Sequence, residues 1–428
     1  MSAQTEHAAA ERCDADFADR VRAAAEAMRG LFPPTPLQQN AYLSARYGAR
    51  IFLKREDLSP VRSYKIRGAF NFFRKRAGDG GLFVCASAGN HAQGFAYACR
   101  HFGKKGVVFM PVTTPQQKID KTRAFGGDSV SIELIGDVFD ECNAAAMAFA
   151  DKKGAPLVPP FDDPDIIEGQ ATVALELVDQ MPEAAGIERI HVPVGGGGLS
   201  AGMTRYLEAI GLAPEMMLIE PAGAPSLKRA LEAGERVRLA SIDNFVDGAA
   251  VGQVGLHNFA ILDRYRPRDV TLVSEDRLCT SILELLNVEG IVLEPAGVLA
   301  VDALKDVPAR RLRGRTVVCI ASGGNFDFER LAEVKERSLR FEGLKKYFLL
   351  RLPQRPGALK DFLGLLGPHD DIVRFEYLKK SARNFGSILI GIETREPANF
   401  AGLMARMSDA GIVWQDITEN ELLAGLII

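Results

Sequence analysis

Ile190-His191-Val192-Pro193-Val194-Gly195-Gly196-Gly197-Gly198-Leu199-Ser200-Ala201-Gly202 reads as a buried strand, four glycines and the start of a helix. Glycines at such a corner let successive backbone N–H groups converge on an anion, helped by the positive end of the helix. A close-packed strand–helix corner would also use glycine, but four in a row exceed what a tight turn requires. The spacing is not G-x-G-x-x-G, and no Lys-Ser/Thr follows as in a P-loop. A plain dinucleotide-binding fold is therefore excluded.

The same strand-then-helix alternation extends on both sides. Short β-branched runs at Leu82–Ala86, Gly106–Met110, Val130–Leu134, Arg189–Val194, Met216–Glu220, Asp269–Val273 and Thr316–Ala321 are separated by helical stretches. That pattern predicts α/β architecture with largely parallel sheets, whose ligands bind beyond the C-terminal strand ends. Two more loops sit at such ends: Ser87-Ala88-Gly89-Asn90-His91-Ala92-Gln93-Gly94 and Ser322-Gly323-Gly324-Asn325. Ser87 or Asn90 can simply cap a helix, or the loop can hold a carboxylate. Capping alone explains poorly why Asn, His and Gln cluster there. Ser63-Tyr64-Lys65-Ile66-Arg67-Gly68-Ala69 places a lysine in a short polar turn after the strand-like run Ile51–Lys54. A buried lysine of lowered pKa can form a Schiff base or act as a base, whereas a solvated one does neither.

Before the first strand, Asp14–Arg29 predicts a helix burying Val21, Ala24, Ala25 and Met28, with residues 1–12 frayed. The charged stretch 336–344 reads as a connector. The order strand Tyr347–Leu352, helix Leu359–Leu366, strands Ile372–Leu378 and Ser387–Glu393, helix Pro397–Ala410, strand Val413–Ile417 is ferredoxin-like. The expected organisation is a large α/β part over 1–335, with a smaller subdomain inserted at about 75–160, and a small α+β domain over 345–428.

Composition narrows the function. With 428 residues, 47% hydrophobic and 25% charged, and a net charge of −3, the chain has no basic footprint for nucleic acid. No apolar run approaches the roughly 18 residues of a membrane span. Acidic Glu6, Glu11, Asp14, Asp16 and Asp19 argue against a signal peptide, so a cytoplasmic protein is expected. The six cysteines (Cys13, Cys85, Cys99, Cys142, Cys279, Cys319) form no CxxC pair and read as buried free thiols.

Taken in order, Lys54–Pro60, Lys65, Ser87–Gly94, Gly195–Leu199, Glu294-Pro295-Ala296-Gly297 and Ser322–Asn325 resemble the fold-type II (tryptophan synthase β-like) pyridoxal-phosphate enzymes, over residues 30–335. Within them, Asp163–Gln170 resembles the threonine ammonia-lyase (threonine dehydratase) subgroup. Leu352–Ala358 and Phe375-Glu376-Tyr377 resemble the single C-terminal ACT-like regulatory domain of the short biosynthetic members.

The resemblance implies roles. Lys65 would hold pyridoxal 5'-phosphate as a Schiff base and later take the Cα proton; the amides of Gly195, Gly196, Gly197, Gly198 and Leu199 would bind its phosphate. Asn90 would hydrogen-bond the ring hydroxyl, and Ser322 would face the ring nitrogen. A hydroxyl cannot keep that nitrogen protonated as an aspartate would, which favours prompt loss of a β-hydroxyl over transamination. Ser87, Asn90 and His91 would form the substrate-carboxylate loop. L-threonine would give 2-oxobutanoate and ammonia, and L-serine pyruvate. The regulatory domain implies feedback inhibition by isoleucine with valine opposing it, Tyr377 at the effector site, and a homo-oligomer, a tetramer rather than a dimer. Tyr377 is also readable as a core or interface tyrosine.

This sequence departs from the family at Tyr64, where phenylalanine is frequent, and at Ser226, where metal-dependent relatives carry an acidic residue. Serine offers a hard cation no charge, so no metal is expected beside Glu220. His257 and His369 read as surface or packing residues, Arg310–Arg315 as a solvated loop, and Trp414 as core of the small domain. Competing functions are a catabolic serine/threonine dehydratase, a serine-racemase-like enzyme, and, from another class, a non-catalytic amino-acid sensor.

Overall fold

A computed structural model describes residues 3–181, 186–378 and 385–420, with side chains from Asp14 onward except that of Leu378. The side chain of Cys13 and the stretches 379–384 and 421–428 of the expected C-terminal domain lie outside the described residues. The chain divides into two compact units, Met1–Asp327 and Phe328–Ile428.

The first unit carries β1 (Leu37–Gln39), β2 (Arg50–Arg55), β3 (Leu82–Ala86), β4 (Lys105–Met110), β5 (Val130–Leu134), β6 (Arg189–Pro193), β7 (Glu215–Pro221), β8 (Val270–Val273) and β9 (Thr316–Ala321). They form a six-stranded sheet ordered β1-β2-β9-β6-β7-β8 and a three-stranded sheet β3-β4-β5. All pairs are parallel except β1 with β2. Every residue of β6 and β9 is buried, as expected of central strands covered by helices on both faces. The helix Ala3–Met28 starts earlier than its apolar stripe suggests; the alanine-rich stretch Ala8–Ala10 has high helix propensity. Its Phe17, Val21 and Ala25 share a core with Ile190 and Val192 of β6 and Val318 and Ile320 of β9. Strand β1 is not evident from sequence because three residues, Leu-Gln-Gln, carry no apolar alternation.

The small sheet has its own core, in which Phe73, Phe83, Phe95 and Val108 meet. Val84 also bridges to Leu157, at the return of the chain toward the large sheet. Cys85, Cys99, Cys142 and Cys319 are free thiols and buried, as is Cys279, whose Sγ donates to Glu275 O at 3.3 Å. Among the described residues no helix is long and apolar enough to cross a membrane.

The second unit forms an antiparallel sheet from β10 (Lys345–Pro353), β11 (Asp371–Leu378), β12 (Phe385–Glu393) and β13 (Val413–Asp416), ordered β11-β12-β10-β13. With helices Ala358–Leu363 and Ala398–Asp409 this is the ferredoxin-like arrangement. Phe348, Leu350, Phe362, Ile390, Phe400 and Leu403 fill its core, and the Trp414 ring lies 5.9 Å from that of Phe348. Residues 336–341 of the stretch read as a connector belong to the helix Leu331–Phe341 in this unit. Its Glu336 pairs with Lys345 Nζ at 2.6 Å and accepts from Tyr347 Oη at 2.9 Å, tying it to β10.

Candidate active site

Lys65 opens the helix Lys65–Lys75, which begins just past the end of β2 and a short 3-10 turn. The turn is held against the end of β9: Ser63 bridges Gly323, and Tyr64 N–H donates to Ser322 O at 3.2 Å. Lys65 Nζ donates to Pro160 O at 2.9 Å and lies 5.4 Å and 5.8 Å from the Tyr64 and Phe161 ring centroids. Burial pulls its pKa down to about 8, against the opposing pull of Glu294. At neutral pH roughly a tenth of such an amine is free base, against about 0.03% for an unperturbed lysine. The helix Asn90–His101 approaches this turn closely: a Cβ on Gly94 would lie 3.2 Å from Lys65 C and Ile66 N.

The four glycines stand between β6 and the helix Gly198–Ala209. Gly197 has φ +92°, a value that favours glycine. A Cβ on Gly196 would fall 2.3 Å from the Phe161 ring, and one on Gly195 would meet Ala249 Cα at 2.9 Å. The first amide with an intrahelical acceptor is Ala201, donating to Gly197 O at 2.8 Å, and Gly197 supplies no side-chain cap. The upstream amides are thus left to an anion. Phe161, shared by Lys65 and Gly196, brings the amine and this cradle together.

Asn90, Ser322, Glu294 and Asn325 converge from three strand-end or helix-start loops. Asn90 Nδ2 donates to Glu294 Oε1 at 2.6 Å, and Asn90 Oδ1 accepts from Asn325 Nδ2 at 2.7 Å. Ser322, 2% exposed, donates to Ala296 O at 3.2 Å. Burial pushes the Glu294 carboxyl up to about 7, Asp247 adding to the rise and Asn90 opposing it. Glu294 was visible in the sequence only as part of its tetrapeptide; a glutamate at a helix start carries no sign that it is buried.

Ser87 Oγ accepts from Gly89 N–H at 3.2 Å, so it shapes its own loop. His91 is buried, and its Nε2 faces Val158 O at 2.9 Å. Burial, reinforced by Lys65, holds that imidazole down at about 4 and therefore neutral. His91 contributes its place in the first helical turn, where backbone N–H groups are free, rather than its ring.

Behind Lys65 the same helix carries the fully buried Arg67. It donates to Glu56 at 2.7 and 2.9 Å and to Glu176 at 2.8 and 2.7 Å, while Lys54 Nζ reaches Glu176 at 2.7 Å. Two cations and two carboxylates balance there. Elsewhere, both Glu220 oxygens accept backbone N–H groups, from Leu227 at 2.7 Å and Lys228 at 3.0 Å. Among the described residues no cluster of three His, Cys, Asp or Glu could hold a metal ion. His257 and His369 are exposed. Arg311, within a short helix Ala309–Leu312 rather than a loop, pairs with Glu215 at 2.7 Å. In the second unit Tyr377 is 41% exposed on edge strand β11, opposite Ile388 and against Gly386.

The family model for pyridoxal-phosphate dependent enzymes matches residues 28–323, and that for the C-terminal regulatory domain of threonine dehydratase matches 336–427. L-threonine dehydratase biosynthetic IlvA of Bacillus subtilis is 44% identical over 398 residues, 92% of this chain and 93% of the relative. The chain belongs to this family. The Mycobacterium tuberculosis enzyme of the same name is 47% identical over 388 residues, 90% of each chain. Among solved structures, the processed form of threonine deaminase isoform 2 from Solanum lycopersicum matches with TM-score 0.69 at 35% identity, covering 76% of this chain and 94% of that one. Maize serine racemase matches with TM-score 0.67 at 26% identity, covering 76% and 98%.

The cofactor of this family is pyridoxal phosphate. The residues present fit it: backbone amides from Gly195 to Ser200, for which none of the described residues supplies an acceptor, stand beside a part-buried amine of lowered pKa, the two joined through Phe161.

Proposed function

We propose that this chain is a threonine ammonia-lyase, converting L-threonine to 2-oxobutanoate and ammonia and L-serine to pyruvate by the same route. The observation carrying this reading is the convergence of Lys65 with the amide cradle Gly195–Leu199 and the hydroxyl of Ser322. When bound, pyridoxal phosphate supplies an electron sink for bond breaking at Cα. Lys65 Nζ would hold the cofactor and, as a free amine, would take the Cα proton, a role its lowered pKa suits. The amides of Gly195–Leu199 take the phosphate. Asn90 would serve the ring hydroxyl and Ser322 the ring nitrogen; as a hydroxyl, Ser322 would not hold that nitrogen protonated. The Ser87–His91 loop receives the substrate carboxylate through helix N-terminal amides. The Tyr64 and Phe161 rings flank the amine.

The second unit meters this activity, with isoleucine as inhibitor, valine opposing it and Tyr377 at the effector site. Such coupling requires states that the effector binds unequally, and a homotetramer working in the cytoplasm provides them by pairing regulatory units. The match of 336–427 to a threonine dehydratase regulatory domain weighs against the catabolic and racemase readings. The test is an assay of purified holoenzyme for 2-oxobutanoate from threonine, with and without isoleucine. Product formation suppressed by isoleucine is expected. Racemised serine without keto acid would overturn the catalytic reading, and indifference to isoleucine the regulatory one.

A further inference from the structure

Glu294 is a buried carboxylate that, among the described residues, forms no ion pair. Its hydrogen bonds come from Asn90 Nδ2 and from the backbone N–H of Asn325. Asn325 meanwhile uses its own side chain on Asn90: Asn325 Nδ2 donates to Asn90 Oδ1 at 2.7 Å and to Val61 O at 2.8 Å. The triangle is closed. One Asn90 N–H is held by Glu294 and the Asn90 carbonyl oxygen by Asn325, so the amide has no freedom to flip. The second Asn90 N–H is the hydrogen that remains to be offered. Packing enforces the arrangement, since a Cβ on Gly323 would lie 2.3 Å from Glu294 Oε1 and 3.3 Å from Asn90 Nδ2.

Burying an unpaired carboxylate is costly, and a well-packed apolar side chain there would serve stability better. A carboxylate at the one place where it accepts from Asn90 has a use that stability does not explain.

We propose that Glu294 and Asn325 are positioning residues that together fix the Asn90 amide so that its remaining N–H is presented to the ring oxygen of pyridoxal phosphate. The proposal rests on the assignment of Asn90 to that oxygen. Without Glu294, the amide can rotate its donor away. Without the Asn325 side chain, the Asn90 carbonyl oxygen loses its anchor and the amide is held at its amino end alone. Glu294→Gln keeps an accepting oxygen on an isosteric side chain, so the orientation survives the loss of charge.

The test is equilibrium titration of the full-length apoprotein with pyridoxal phosphate, followed by visible absorbance, for a set of single and double variants. Loss of one hydrogen bond to the cofactor predicts about tenfold weaker binding for Asn90→Ala. Glu294→Ala and Asn325→Ala should weaken binding to a similar degree. The double variants Asn90→Ala/Glu294→Ala and Asn90→Ala/Asn325→Ala should bind within about twofold of Asn90→Ala alone, because the positioning residues have nothing left to position. Glu294→Gln should recover most of the affinity. Additive weakening in both double variants overturns the proposal, since a merely structural role acts independently of Asn90. Full affinity in Glu294→Ala or Asn325→Ala overturns it too. Full affinity in Asn90→Ala instead overturns the assignment of Asn90 and the proposal with it. If Glu294→Ala does not fold, the Asn325 cycle and Glu294→Gln decide the matter by the same criteria.

Discussion

Replacing Glu176 by glutamine tests the buried charge cluster behind Lys65. Glu176 accepts from Lys54 Nζ at 2.7 Å, Arg67 at 2.8 and 2.7 Å, and Thr35 N–H at 3.1 Å. Burial by itself would raise its pKa; Arg67 and Lys54 reverse that and hold the carboxyl below the usual carboxylate range. The amide keeps the shape but turns an N–H₂ group toward at least one cationic donor, and leaves Lys54 and Arg67 facing Glu56 alone. Breaking a buried pair from one side costs about 3–5 kcal/mol. At about 2–4 °C per kcal/mol for a large domain, Tm should fall by roughly 6–20 °C. The control is Glu232→Gln, which removes an exposed pair with Arg229 (side chains 60% and 38% exposed for Arg229 and Glu232). That pair contributes at most about 1 kcal/mol. Differential scanning calorimetry of both variants decides: a Glu176→Gln midpoint no lower than that of Glu232→Gln refutes the reasoning.

Gly196→Ala should both destabilise the protein by about 1–3 kcal/mol and weaken cofactor binding, because its Cβ would sit 2.3 Å from the Phe161 ring; urea unfolding and cofactor titration read the two effects. Burial, aided by Lys65 at His91, holds both His91 and His191 at about 4 in the folded protein against about 6.5 unfolded. The unfolded chain therefore binds more protons between those values, so each histidine's contribution is present above pH ~6.5 and is lost as pH falls toward 4, up to about 3 kcal/mol apiece. Urea unfolding across that range should show the drop, and His191→Gln should shrink it. Tyr377→Ala should raise the isoleucine concentration for half-inhibition by about tenfold, the equivalent of one lost aromatic contact and hydrogen bond.

Much of this architecture is legible in the chain because its signals are local. A β-branched run followed by glycines announces a strand end, and each of the three such loops lies at the C-terminal end of its parallel strand. What is not legible depends on contacts between distant residues. Arg67 looks like any basic residue on a helix; its partners Glu56 and Glu176 come from an earlier turn and from the helix Pro164–Gln180. Glu294 gives no sign of burial until β9 and the Asn90 helix close around it. His91 sits in the expected loop, but its rotamer is set by the Val158 carbonyl at 2.9 Å, which no local pattern encodes. The charged stretch 336–344 reads as a connector because Lys345 and Tyr347, the partners of its Glu336, lie beyond the stretch itself.

The central claim is that Lys65 carries the cofactor, and reductive trapping tests it most directly. Purified holoenzyme is treated with borohydride, digested, and the pyridoxyl-bearing peptide is located by mass spectrometry. The label is expected on Lys65 Nζ, in the segment Ser63–Ala69. A label on any other lysine, or a protein that retains no label after binding the cofactor, would contradict that assignment.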